Sequence, residues 1–98
     1  MGSFIYDRAA EFEIDDRSLA HLQVVILNKL RRRESFALDL GDGTTVETVW
    51  INESTPLEFR YAGNRQPLLN QLWLESMAGE AGLNGLLRIT PEPRTPDT

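Results

Sequence analysis

The chain contains no cysteine. That excludes disulfides, thiolate nucleophiles and cysteine-ligated zinc or iron–sulfur centres, and it fits a reducing compartment. Histidine and lysine occur once each, as His21 and Lys29. With one imidazole and no thiolate, only carboxylates remain as metal ligands in any number, so no metal and no other cofactor is expected. No G-x-S-x-G surrounds a serine, and neither "GDG" nor "GLNG" is a G-x-x-x-x-G-K-[ST] phosphate loop. A candidate catalytic set is therefore missing. Long apolar runs are missing too: none approaches the ~20 residues that span a bilayer. The start "MGSFIYDRAAEF" lacks the charged and apolar regions of a signal peptide. These absences lead to the expectation of a soluble, cytoplasmic protein without a membrane partner.

What is present is one modest core. A chain of 98 residues, 41% hydrophobic and 26% charged, has room for a single domain. The expected domain is 1–90. Residues 91–98 hold three prolines and are expected to form a flexible tail. The net charge of −5 repels phosphate at long range.

Alternation of apolar and polar residues in "FIYDRAAEFEI" predicts a hairpin turning near Asp7 to Ala9. "DDRSLAHLQVVILNKLRRR" predicts a helix from about Asp16 to about Arg33, N-capped by Asp15 or Asp16. Leu19, Leu22, Ile26 and Leu30 form its core stripe. Ala20, Val24 and Leu27 form a second apolar stripe beside the first. The remaining polar strip carries Arg17, His21, Asn28 and Arg32, which reads His21 as a surface or boundary residue. A single sheet covers roughly half a helix, so the second stripe needs a cover of its own, from the other helix or from a partner chain. Gln23 falls within the apolar arc and needs a hydrogen-bond partner if buried.

"SFALDL" and "VETVWI" around Gly41-Asp42-Gly43 predict a second hairpin. "LEFRY" after "NESTP" extends it to a three-stranded antiparallel meander. "LLNQLWLESMAG" predicts a shorter helix, capped by Asn70 and ended by Gly79 and Gly82. "GLLRIT" is a last strand. The order is ββαβββαβ. This is an α+β fold: a mostly antiparallel sheet with one long and one short helix packed on one face.

The basic stretch "NKLRRRESF" raises the alternative of nucleic-acid or anion binding through Lys29, Arg31, Arg32 and Arg33, extended by Arg60 and Arg65. On a helical projection Lys29, Arg31, Arg32 and Arg33 fan around the helix end instead of sharing one face. Cations at a helix C-terminus also suit its dipole. The favoured reading is a non-catalytic interaction or oligomerisation domain, a homodimer or the subunit of an assembly, using Ala20, Val24 and Leu27.

The segments "DDRSLAHLQVVI", "KLRRRESF", "FRYAGNRQP", "LNQLW" followed by Glu75, and "LRITPEP" resemble, in this order, a family of small actinobacterial proteins of unknown function. Some members bear the label ATP-dependent DNA ligase. Ligases of that class use a K-x-D-G nucleophile. The lone Lys29 stands in "KLRR", so the resemblance implies membership in the family and no ligase chemistry.

Overall fold

In the computed structural model, which describes residues 1–41 and 44–94, the chain runs β1 (Gly2–Tyr6), β2 (Ala10–Ile14), α1 (Asp16–Arg31), β3 (Phe36–Gly41), β4 (Val46–Ile51), β5 (Leu57–Arg60), α2 (Gln71–Asn84) and β6 (Leu86–Arg88). The expected α+β class and element order are both found. Asp42 and Gly43 of the expected second turn, and residues 95–98 of the expected tail, lie outside the described residues. No helix among those described is long and apolar enough to cross a membrane.

The strands divide into two three-stranded sheets, β2-β1-β5 and β4-β3-β6, where one was expected. The predicted meander is broken, because β5 leaves β4 and pairs antiparallel with β1. The loop between them explains why. Asn52 accepts the Ser54 N–H on its side chain and the Thr55 N–H on its carbonyl, which closes the turn. Pro56 then has no N–H for a ladder, while its carbonyl accepts the Asp7 N–H at 2.8 Å. The chain is thereby handed to the end of β1. β6 joins β3 in parallel. The two sheets touch where the Tyr6 hydroxyl donates to the Trp50 carbonyl at 2.7 Å.

The core lies between these sheets and the helices. Phe4, Leu19, Leu22, Ile26, Phe36, Leu38, Ile51, Met77 and Leu87 are all fully buried, each worth roughly 1.5–3 kcal/mol relative to exposure.

Local chemistry sets the ends of α1. Asp15 caps it by accepting the Ser18 N–H at 3.0 Å. Partial burial pushes the Asp15 carboxyl up, but its hydrogen bonds from Ser18 outweigh this and hold it below the usual range. At the other end Arg33 N donates to Leu30 O and Glu34 N to Lys29 O, both at 3.0 Å. That is a Schellman closure, with an arginine at φ 59° in the left-handed position where glycine is usual.

α2 is capped by Asn70, as expected, whose side chain accepts from Leu72 N and Trp73 N. It does not stop at Gly79 or Gly82. It continues to Asn84, and Gly85 ends it at φ 68°. Glycine weakens a helix interior but does not break it. Termination falls at the glycine that turns left-handed, and the buried face of Trp73, Met77 and Ala81 runs past Gly79.

Candidate docking surface

Arg17 and His21 stand one helical turn apart on α1, where the sequence placed a solvent strip. His21 is instead fully buried. Its Nδ1 lies 2.7 Å from the Arg17 carbonyl, and its Nε2 lies 2.8 Å from the Asn70 backbone N. A carbonyl only accepts and a backbone N–H only donates, so the proton sits on Nδ1. The correction has a tertiary cause: the segment leading into α2 crosses α1 here and brings a backbone donor that needs an acceptor. Trp73 covers the imidazole, with ring centroids 4.4 Å apart, and its indole N–H donates to Thr90 O at 2.9 Å.

Arg17 reaches the other way. Its Nε and Nη2 bind both oxygens of Glu92 at 2.8 and 2.6 Å, and Nη1 donates to the Leu68 carbonyl at 2.7 Å. Asn70 Nδ2 donates to Glu92 and to the Pro93 carbonyl. Hydrogen bonds from Arg17 first, then from Asn70, hold the Glu92 carboxyl down at about 2. The pairing with Glu92 likewise raises the Arg17 guanidinium above its usual range. Glu92 and Pro93, at the start of the segment expected to be a loose tail, are thus tied to both helices.

This network controls what α1 displays. The approach to α2 is gripped from beneath at the Leu68 carbonyl and the Asn70 amide, and the leucine side chains point outward. Leu72 is 39% exposed and Leu27, on α1, 45%; Leu68 is 85% exposed and Leu69 53%. The predicted second stripe lies next to them. Ala20, Val24 and Leu27 line a cleft of about 380 Å³ with Tyr61, Pro67 and Leu69. Gln23 has the partner its position demanded, since the Tyr61 hydroxyl donates to its Oε1. Burial, then the charge of Asp16, raises the Tyr61 hydroxyl above the usual phenol range, which keeps it a donor. The far wall is held by Asp16, whose carboxylate accepts from Ala62 N and Gly63 N. The stripe is therefore only partly covered within the chain. The signal for it was legible in the helical spacing; the wall formed by 61–69 was not.

A second groove, of about 650 Å³, runs between the C-terminal half of α1 and α2. Val24 and Leu69 line both hollows, so the two adjoin at these residues.

Five of the six cations singled out in the sequence are spread over three hollows. Lys29, Arg31 and Arg32 line the groove between the helices, Arg65 lines the cleft on the stripe, and Arg60 lies beside Arg8 in a hollow against β5. Four of the six face carboxylates: Lys29 and Arg32 both meet Glu34, Arg33 meets Glu53, and Arg60 meets Glu58. Lys29 does not join a ring of cations around the helix end. It is buried, with its ammonium 5.6 Å from the centre of the Phe36 ring. Arg31 and Arg65 have no acidic partner among the described residues. No three His, Asp or Glu side chains gather as a metal group among those residues either.

The fold and surface define a small α+β module with a pinned apolar face. A family model described as a domain of unknown function (DUF7882) matches residues 1–92, and the chain belongs to that family. The match closes on Glu92, the residue that Arg17 holds. No curated protein and no solved structure matches the chain.

Proposed function

We propose that this protein is a non-catalytic interaction module that docks a protein partner over Ala20, Val24, Leu27 and Leu69. The observation that carries this reading is the outward display of Leu68 and Leu69 by a backbone gripped at Leu68 O and Asn70 N. Exposed leucines on a loose loop would signify little. Leu27 and Leu69 line one cleft with Ala20 and Val24, and with the exposed Leu68 next to Leu69 they form an apolar patch of the kind that marks protein interaction sites.

An apolar fluorescent dye tests the reading, together with the molar mass measured across a concentration series. The wild type should either self-associate or bind the dye, and Leu27→Ser with Leu69→Ser should abolish whichever is seen without lowering the melting temperature. A wild type that does neither, or that does so unchanged in the double variant, would end the reading.

A further inference from the structure

The charges around the surface point to its occupant. Ala20, Val24, Leu27 and Arg31 follow i, i+4, i+7 and i+11, so Arg31 ends the exposed stripe. Glu75 of α2 lines the same groove as Arg31. Neither is in an ion pair among the described residues, and Glu75 has only the Gln71 amide at 3.5 Å. A groove with an unpaired cation on one wall and an unpaired anion on the other is self-complementary. A two-fold rotation brings each Arg31 onto the other copy's Glu75, and a single axis satisfies both pairs.

A further feature favours the same occupant. Gly79 and Gly82 follow Glu75 at i+4 and i+7, and a Cβ added at either meets nothing within 4 Å. Alanine there would strengthen an isolated helix, whereas glycine lets a neighbouring helix come close to the backbone.

We propose that a second copy of this chain covers the surface about a two-fold axis, with Arg31 of each copy paired to the partner's Glu75 and Leu27 and Leu69 packed between. This rests on the docking reading above and names its partner. The four helices then form one shared layer, with the paired sheets of each copy on the outside. Each chain carries a net charge of −5, so apolar contact alone would be opposed by like charge, and the Arg31–Glu75 pairs supply attraction and register together.

Analytical ultracentrifugation of the full chain, with circular dichroism to confirm folding, tests the proposal. The wild type should be a dimer. Arg31→Glu and Glu75→Arg should each weaken it by about tenfold or more. The double variant R31E/E75R should restore it, because the pair is rebuilt across the axis with its signs exchanged. Leu27→Asp should abolish it.

A wild type that stays monomeric yet binds the apolar dye would overturn the second copy as occupant and leave the docking reading standing. A dimer lost in Leu27→Asp but indifferent to both charge reversals would overturn the pairing. A dimer indifferent to all of these variants uses another surface and overturns the proposal and the docking reading together.

Discussion

The backbone N–H of Asn70 donates to Nε2 of His21 at 2.8 Å, joining the cap of α2 to the middle of α1. His21→Leu keeps much of the volume, removes the acceptor, and leaves a buried N–H without a partner. The expected loss is roughly 1–3 kcal/mol of stability, read as a lower denaturation midpoint at unchanged slope. Faster amide exchange at 68–70 should accompany it. A His21→Leu variant as stable as the wild type would show that this bond does not hold the segment.

The Arg17–Glu92 pair makes part of the stability depend on pH. The Glu92 carboxyl lies at about 2, below its ordinary value of 4.5. A carboxyl depressed in the folded state binds its proton more readily when the chain unfolds. Its contribution is therefore fully present above about 4.5 and is lost as pH falls toward about 2. Glu92→Gln should be less stable than the wild type at neutral pH by a constant margin, and that margin should close across this window. A margin that does not change on acidification would contradict the assignment.

Arg33 at φ 59° and Gly85 at φ 68° close the two helices in the same backbone region. A side chain in that region costs roughly 1 kcal/mol. Arg33→Gly should therefore stabilise the protein by up to about 1 kcal/mol, and Gly85→Ala should destabilise it by a similar amount. Thermal melts of the two variants should move in opposite directions.

These helix ends show where sequence reasoning reached and where it stopped. Asp15, Asn70 and the stripes of α1 were legible because caps and helical periods are local. The stop at Gly85 was not, since Gly79 and Gly82 carry the same local signal, and the packing of Met77 and Ala81 on either side of Gly79 is not a local feature. The meander failed for a related reason: alternation defines a strand, but β5 chooses β1 through Pro56 and Asp7, residues far apart in sequence. His21 was misplaced because its partner, Asn70 N, is a backbone group that no periodicity reports. The second stripe was legible as Ala20, Val24 and Leu27, while the Leu68–Leu69 ridge was hidden in a segment that reads as a loop. Arg31 was seen as one of a cluster, and its isolation emerged only when Lys29, Arg32 and Arg33 were found facing Glu34 and Glu53.

Nucleic-acid binding can be tested against this charge arrangement. Lys29, Arg32, Arg33 and Arg60 each face a carboxylate, and the chain carries a net charge of −5. Phosphate contacts would have to displace those partners. Duplex DNA and single-stranded RNA should give no mobility shift even at low salt. A salt-dependent shift, weakened by Arg31→Ala and Arg65→Ala, would favour the opposite reading.

The most direct test exploits the absence of cysteine. Leu68→Cys places a single thiol at a position 85% exposed, and an environment-sensitive fluorophore attached there reports whether the ridge is wet or covered. The account predicts that, as the chain is concentrated, the emission shifts to the blue and quenching by iodide falls in step with the rise in molar mass, and that Leu27→Asp abolishes both changes. A probe that stays fully quenchable while the mass doubles would contradict it, and so would a mass that never rises.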